Sequence, residues 1–276
     1  MLRARLAILA AAVLWSTGGA AIKLCGLNAW QIAGGRSLVA TAFILLLFRE
    51  ARRPPDRRVL AVAAAYAVTV VLFVLATKLT TAASAIFIQS TAPLWVLLLS
   101  PWLLGERPGR TEVLSIPVYA VGLGLFFVDE LTAGQRLGNL VALGSGIAFA
   151  FCVVGLRLVR QSGTGALVWG NLLAAAAALP LWRTGPAPSP GDAALLLYLG
   201  TIQLGLSYLL FGWALRRTAA VEASLLVLIE PVLNPIWAFL LAGERPGPWA
   251  MAGGAIVLVA TAWRTLRPPA ARSRAS

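Results

Sequence analysis

The sequence contains ten apolar runs, each long enough to form a helix that crosses a membrane. Such a helix needs about 20 mostly apolar residues, and the runs lie between charged or Pro- and Gly-rich breaks. Their positions are 4–22, 31–48, 59–77, 82–104, 111–128, 138–158, 165–182, 193–215, 221–242 and 247–266. The loops left between them are too short for a soluble domain. The pattern therefore predicts an all-α polytopic membrane protein with ten transmembrane helices.

The charged residues indicate how the chain lies in the membrane. Only 12% of the residues are charged, against about 25% in soluble proteins, and 23 Lys and Arg outnumber 10 Asp and Glu. The densest basic group, at 49–58, lies between two apolar runs and matches no nucleic-acid-binding motif. Short cytoplasmic loops carry an excess of Lys and Arg. Cytoplasmic termini would place 17 of the 23 inside, five outside and Arg36 within a span, so we expect both ends in the cytoplasm and no nucleic-acid partner.

The two halves of the chain repeat each other. A shift of 138 residues superimposes Pro93 on Pro231, and the tetrapeptide GERP at 105–108 on a second GERP at 243–246. GERP alone would be a weak signal in a sequence rich in Gly and Arg. A proline in the middle of a run, in register with the tetrapeptide that ends the run, is a stronger one. The match indicates that the chain arose as two copies of one unit.

Each half contains five predicted helices, and five is an odd number. Equivalent helices must therefore cross the membrane in opposite directions. We predict two inverted five-helix repeats, residues 1–130 and 131–276, the second with a short cytoplasmic tail. Inverted repeats are typical of secondary transporters, whose substrate sites lie near the bilayer midplane between the repeats.

The order of these motifs resembles the drug/metabolite transporter superfamily, and most closely its EamA-type branch. The resemblance rests on LWSTGG at 14–19, on Arg36 in the second run, and on the paired Pro and GERP of the fourth and ninth runs. It covers essentially the whole chain. It implies a carrier of the bacterial inner membrane that exports small metabolites, similar to bacterial amino-acid exporters, including those for aromatic amino acids. Phe149 and Phe151 stand where Trp is common in the sixth helix, which leaves the substrate open.

Polar side chains lie at one depth in several predicted helices. A charge at the centre of a span costs about 2.5–3.5 kcal/mol on insertion scales, so such groups usually face a cavity or a partner. We therefore take these residues as candidates for substrate binding. They are Glu230, Gln203, Asn171, Gln89 and Ser207. Thr69 lies at the depth equivalent to that of Ser207 but is not itself a candidate.

The ninth predicted helix carries three candidates on one face. Glu230, Asn234 and Trp237 recur at i, i+4 and i+7, and this spacing places them side by side on a helix. A carboxylate, an amide and an indole together would suit a ligand with an ammonium group and an apolar part. The carboxylate could instead carry a coupling proton. A further alternative is a helix kink whose polar groups satisfy one another.

Three prolines are predicted to distort the fourth and ninth helices. Pro93, Pro231 and Pro235 lie inside apolar runs, and each lacks the N–H that would bond the carbonyl four residues earlier. In lipid a carbonyl freed in this way must find a partner or line a water-filled cavity. The prolines therefore mark where polar backbone would be available to a ligand.

Arg36 is the second intramembrane charge. It could bind a substrate carboxylate in the bidentate manner that Arg favours, which together with Glu230 would suit a zwitterion. The alternative is that Arg36 caps backbone carbonyls or extends to the outer interface.

Aromatic side chains deep in the spans offer an apolar wall and cation–π contacts to a ligand, although they could equally pack helices together. The candidates are Trp15, Trp169, Tyr66 and Tyr208.

Two glutamates that follow the fourth and ninth runs are expected to have structural roles. Glu106 and Glu244 directly precede Arg107 and Arg245. We expect each to pair locally within its loop, as exposed ion pairs commonly do. Neither is counted among the candidates for substrate binding.

Catalysis is a less favoured function than transport. The chain has no His, and its two cysteines, Cys25 and Cys152, lie far apart without a metal-binding motif. We therefore expect no cofactor or metal and no enzyme activity. The sequence predicts a secondary carrier in the lipid bilayer whose small-molecule substrate is an amino acid, including aromatic or apolar ones, or a related metabolite. Export of cationic drugs or other metabolites is the alternative, and an intramembrane enzyme or a channel is less favoured.

Overall fold

The computed structural model describes residues 2–106, 108–130, 136–242 and 248–266, and these are helical apart from short connections. In chain order the α-helices are α1 (Leu2–Ser16), α2 (Gly18–Leu24), α3 (Ala29–Leu47), α4 (Arg57–Leu79), α5 (Ala82–Gln89), α6 (Ala92–Leu104), α7 (Arg110–Glu130), α8 (Arg136–Val159), α9 (Gly163–Trp182), α10 (Pro190–Tyr198), α11 (Ser207–Leu215), α12 (Ala220–Leu226), α13 (Glu230–Ala242) and α14 (Pro248–Leu266). A π-helix, Leu199–Leu206, joins α10 to α11. The predicted all-α class is confirmed.

Six helical stretches are long and apolar enough to cross a membrane, and two shorter apolar helices accompany them. The longest stretch, Arg136–Trp182, has 47 residues and contains the sixth and seventh predicted spans. The shorter helices, Glu112–Leu125 and Met251–Trp263, fall within the fifth and tenth. In the described part of the chain the ends of the helices differ from the predicted ends by three residues or fewer. The apolar runs therefore predicted the positions of the helices well.

The fourth and ninth spans are each broken near their middle, at positions 138 residues apart. The pair α5 and α6 begins at Ala82 and Ala92, and the pair α12 and α13 begins at Ala220 and Glu230. Pro93 and Pro231 are the second residues of α6 and α13. Because neither proline has an N–H to donate, the helix is interrupted just before each of them, as the sequence predicts.

Two other sequence features of the ninth span are Pro235 and the second GERP tetrapeptide. At the third proline, Pro235, the chain is helical on both sides, since α13 continues to Ala242. The second copy of GERP, at 243–246, lies outside the described residues.

Helices from the first half of the chain pack mainly against helices from the second half. The main pairs are α3 with α9, α4 with both α8 and α9, α7 with α14, and α1 with α11. Glycine permits the closest approaches: a Cβ at Gly146 of α8 would lie 2.9 Å from the carbonyl oxygen of Gln89. Small residues at such contacts let two helix backbones meet. The buried interior is therefore formed jointly by the two halves.

Candidate functional site

A small cavity lies between the two halves of the chain. Eleven residues line it, namely Trp15, Arg36, Thr69, Val70, Phe73, Gln89, Phe149, Gln203, Leu204, Tyr208 and Glu230. Six of them, Trp15, Arg36, Gln89, Gln203, Tyr208 and Glu230, are among the twelve candidates from the sequence. The space open to the centres of water molecules is about 30 Å³, which is enough for about two waters.

Arg36 of α3 is buried within the protein, with 1% of its surface exposed. Its Nη2 donates to the carbonyl oxygen of Val70 at 2.7 Å, and its Nη1 donates to Oε1 of Gln203 at 3.2 Å. Within the described residues its Nε has no hydrogen-bond partner, and no carboxylate forms an ion pair with it. Arg36 thus caps one backbone carbonyl, as one of the two sequence alternatives proposed, but it does not extend to the outer interface. Three of its five N–H donors remain free of any protein acceptor in this part of the chain.

Gln203 belongs to the π-helix, a rare conformation that is often found at functional sites. The π-helix lies against the backbone of α3: a Cβ at Gly200 would be 2.6 Å from the carbonyl oxygen of Arg36. On its other side the Gln203 amide contacts the start of α2, where a Cβ at Gly18 would be 2.5 Å from Nε2. The amide is therefore held between α2 and Arg36, and it fixes one side of the guanidinium.

Glu230 is the first residue of α13 and is 7% exposed. Its carboxylate lies at the N-terminal end of a half-helix, where the helix dipole favours negative charge. Among the residues that the structure describes, no hydrogen bond or ion pair to this carboxylate is present. Glu230 and Arg36, one acidic and one basic residue, thus line the same cavity and do not pair with each other.

Gln89 is the last residue of α5 and takes part in a chain of hydrogen bonds along one side of the cavity. Its Nε2 donates to the hydroxyl of Ser145 at 2.7 Å, and that hydroxyl donates to the carbonyl oxygen of Thr69 at 3.0 Å. These bonds connect α4, α5 and α8. They fix the position of the Gln89 amide at the break between α5 and α6.

Aromatic rings form an apolar wall of the cavity. Trp15 contacts Tyr208, Phe211 and Phe149 edge to face, with ring centroids 4.7, 5.1 and 5.8 Å apart. Tyr66 lies behind this wall, 4.7 Å from Tyr208. Edge-to-face contacts stabilise such clusters beyond the burial of their surface.

Tyr66, Asn171 and Ser207 lie at the predicted depth but outside the cavity lining. Tyr66 and Asn171 bond to each other: the Tyr66 hydroxyl donates to Oδ1 at 3.3 Å, and Nδ2 donates to the hydroxyl at 3.0 Å. Nδ2 also donates to the carbonyl of Leu167 at 2.9 Å. The Ser207 hydroxyl donates to carbonyls of the preceding π-helix, those of Gln203 and Leu204. The polar groups of all three residues form hydrogen bonds within the protein in this conformation.

Asn234, Trp237 and Trp169 also lie away from the cavity. Asn234 packs on Gly19, where a Cβ would be 2.9 Å from its Oδ1. Trp237 donates from Nε1 to the Ser16 hydroxyl at 2.8 Å, and Trp169 donates to the carbonyl of Arg53 at 3.3 Å. Of the three residues predicted to share a face of the ninth helix, only Glu230 lines the cavity.

Sequence reasoning missed five lining residues, namely Thr69, Val70, Phe73, Phe149 and Leu204. Four are apolar, and the sequence gives no signal that separates an apolar cavity wall from ordinary packing. Thr69 was noticed only for its depth, and its side chain donates to the carbonyl of Ala65 at 2.7 Å.

Comparison with known proteins identifies the family. The family model for EamA-like transporters matches residues 2–128 and 136–265. This chain belongs to the EamA-like transporter family. The resemblance seen in the sequence is thereby confirmed, and the chain is a multi-pass membrane protein of a transporter family.

Two relatives of this EamA-like protein are similar to it over much of its length. An uncharacterized transporter of Archaeoglobus fulgidus is 28% identical over 264 residues, which are 94% of this chain and 95% of that protein. A probable terminal-alkyne amino-acid exporter of Streptantibioticus cattleyicolor is 25% identical over 182 residues, 63% of this chain and 61% of that protein.

The EamA-like fold is also found in a solved structure. A crystal structure, described only as that of a protein, is similar with a TM-score of 0.78 and 18% sequence identity. The similarity covers 95% of this chain and 97% of the other. At this level of identity the likeness concerns the fold alone.

Proposed function

We propose that this EamA-like transporter is a secondary carrier that exports amino acids, including aromatic and apolar ones, and related small metabolites across the bacterial cytoplasmic membrane. One observation carries the proposal: Arg36 and Glu230 line the same cavity, and neither is ion-paired among the described residues. A buried charge without an opposite charge beside it is destabilising. The ammonium and carboxylate groups of one amino acid would compensate both charges.

The rest of the cavity suits the side chain of such a substrate. Trp15, Phe73, Phe149 and Tyr208 provide an apolar surface, and their rings can also attract an ammonium group. The printed name of the Streptantibioticus relative, a probable exporter of a terminal-alkyne amino acid, supports an amino-acid cargo with an apolar side chain.

Transport requires the cavity to enlarge. Room for about two waters is too little for an amino acid, so substrate binding needs a wider cavity than this conformation has. Because both halves of the chain line the cavity, rocking of one half against the other would open it first to one side of the membrane and then to the other. The excess of Lys and Arg in the predicted inner loops supports an orientation with both termini in the cytoplasm.

The experiment that tests the charges is substrate counterflow in proteoliposomes with three matched competitors. Phenylalanine carries both charges, phenethylamine lacks the carboxylate, and 3-phenylpropionate lacks the ammonium group. We expect phenylalanine to compete best. Glu230→Gln should weaken competition by phenylalanine and phenethylamine about ten- to a hundredfold, because hydrogen bonds to charged groups contribute about 1.5–3 kcal/mol. It should leave competition by 3-phenylpropionate unchanged. Arg36→Gln should weaken competition by phenylalanine and 3-phenylpropionate and leave competition by phenethylamine unchanged.

Glu50→Gln is the matched control, since Glu50 is an exposed glutamate outside the spans, and it should behave as wild type. Equal competition by all three compounds, or unchanged competition in both variants, would refute the roles of Arg36 and Glu230. A wild-type preference for phenethylamine over phenylalanine would instead favour export of cationic compounds.

The same variant separates amine binding from proton coupling at Glu230. A carboxylate that carries the coupling proton is needed for uphill transport but not for exchange. If Glu230→Gln keeps wild-type counterflow and loses accumulation driven by a pH gradient, Glu230 is the proton site and the amine is bound elsewhere.

A further inference from the structure

Two ion pairs connect the halves of the chain outside the cavity, one of them buried and the other partly buried. Arg5 of α1 contacts Glu222 of α12, with Nη2 and Nε at 2.6 and 2.8 Å from Oε1. Arg157 of α8 contacts Glu106, which follows α6, with Nη2 and Nε at 2.7 and 2.8 Å from Oε1. Glu106 therefore pairs across the protein with Arg157, whereas Arg107, the neighbour with which we expected it to pair, lies outside the described residues. Each pair joins one residue of the first half to one of the second.

Further hydrogen bonds join the two pairs into one contact layer. The Nη1 of Arg157 donates to the carbonyl oxygen of Leu215 at 2.6 Å, at the end of α11. The second oxygen of Glu106 accepts from the backbone N–H of Ala220 at 3.3 Å, at the start of α12. The beginning of α12 thus receives a bond from each pair, through Ala220 and through Glu222.

The layer lies at the face of the protein that carries the N-terminus, well away from the cavity. Arg5 precedes the cavity residue Trp15 by ten residues of α1, and Arg157 follows Phe149 by eight residues of α8. At 1.5 Å per residue these separations correspond to about 12–15 Å. The ion pairs are therefore two to three helical turns from the site.

The opposite face is connected differently. There the backbone N–H of Gly26 donates to Asp192 at 2.7 Å, and Asn28 donates to Thr184 at 3.3 Å. Both contacts are exposed hydrogen bonds between the halves. Both of the ion pairs described above lie at the N-terminal face.

We propose that the pairs Arg5–Glu222 and Arg157–Glu106 form the gate that closes the cavity toward the N-terminal face, which the Lys and Arg distribution makes cytoplasmic. The gate rests on the alternating access proposed above, because opening at this face separates the two halves and with them all four charges. Breaking an ion pair whose arginine is buried, as both arginines are here, is unfavourable. Water that enters the open pathway rehydrates the charges, so the contact can break and re-form in each cycle.

A native thiol allows the gate to be tested without a substrate. Cys152 is a free cysteine of α8 with none of its surface exposed, and it lies between Arg157 and Phe149 in sequence. Replacing the other cysteine, Cys25→Ser, leaves Cys152 as the single reporter. The measurement is the rate of Cys152 alkylation by N-ethylmaleimide in nanodiscs, followed by intact-protein mass spectrometry.

Neutral variants should open the gate. Arg5→Gln with Glu222→Gln, and Arg157→Gln with Glu106→Gln, remove one pair each without leaving a buried charge alone. We expect each double variant to increase the alkylation rate of Cys152, and the four-site variant to increase it about tenfold or more, because loss of the pairs shifts the population toward the state open at this face. The exchanged pair Arg5→Glu with Glu222→Arg should restore the slow rate.

The matched control is Arg58→Gln, an exposed arginine at the start of α4, which should label as slowly as wild type. Wild-type labelling in every neutral variant would overturn the gate, as would an exchanged pair that labels as fast as the neutral one. If the four-site variant does not fold, the double variants and the exchanged pair give the same comparison. The measurement contains no substrate, so failure of the gate and failure of the proposed substrate site are separate results.

Discussion

The hydrogen-bonded pair of Tyr66 and Asn171 should stabilise the protein without selecting its substrate. Both side chains are fully buried. In Tyr66→Phe the Asn171 Nδ2 keeps its bond to Leu167, whereas Oδ1 loses the Tyr66 donor. In Asn171→Leu the Tyr66 hydroxyl loses both bonds to the amide. Each single variant therefore leaves a buried polar group without this partner, at a cost of about 1–3 kcal/mol.

The double variant shows whether the two groups act as a pair. With both polar groups removed there is nothing left to satisfy, so the double variant should be more stable than the sum of the single effects predicts. Interhelical hydrogen bonds in membrane proteins contribute about 0.6 kcal/mol on average and at most about 1.7 kcal/mol. We expect a coupling free energy within that range.

The assay is reversible unfolding in mixed micelles, titrated with SDS and followed by far-UV circular dichroism. Additivity of the single effects within about 0.3–0.5 kcal/mol would refute the mutual pair. Counterflow provides the second measurement: the order of affinities for phenylalanine, phenethylamine and 3-phenylpropionate should be unchanged. A changed order would place Tyr66 or Asn171 at the substrate in another stage of the cycle.

Two further substitutions test contacts around the cavity. Gly18→Ala adds a methyl group 2.5 Å from Nε2 of Gln203, which must displace the amide from Arg36. Because a charged hydrogen bond contributes about 1.5–3 kcal/mol, we expect competition by 3-phenylpropionate in counterflow to change about tenfold or more. Competition by phenethylamine should be unaffected. An effect on phenethylamine alone would contradict this link. Trp237→Phe removes the hydrogen bond to Ser16 and should lower the free energy of unfolding by about 0.5–1.5 kcal/mol. The order of affinities for the three competitors should be unchanged. An altered order would indicate that Trp237 contacts the substrate.

The sequence predicted the helices well because their cause is local. Apolar runs set the helix positions, and Pro93 and Pro231 interrupt the hydrogen bonding of their own helices. The π-helix was not predicted, since its contacts are tertiary: Gly200 lies on the backbone of α3 at Arg36. The break between α1 and α2 at Thr17 was also not predicted. The Thr17 hydroxyl forms a hydrogen bond of 2.7 Å with the Tyr198 hydroxyl, which lies far along the chain.

The site was predicted only in part because depth in the membrane does not determine direction. Glu230 and Asn171 were chosen by the same argument, yet one lines the cavity and the other meets Tyr66 across a helix interface. Which neighbour forms hydrogen bonds with a buried amide depends on how two packed helices are rotated relative to each other. The apolar periodicity of one helix does not predict that rotation. Glu106 shows the same limit, since its partner Arg157 is 51 residues away in the chain and Arg107 is adjacent.

The stretch from α12 to the start of α13 connects the two proposed sites directly. Glu222 and Glu230 are eight residues apart on the same short stretch of chain, with only the 3₁₀ turn Val227–Ile229 between the two helices. Any factor by which a closed gate changes the affinity at Glu230 is, by thermodynamic reciprocity, the factor by which bound substrate changes the stability of the gate. A variant that breaks the Arg5–Glu222 pair should therefore change the affinity for the substrate although Glu222 does not contact the substrate. Conversely, a tightly bound ligand should change how firmly the gate closes at the start of α12.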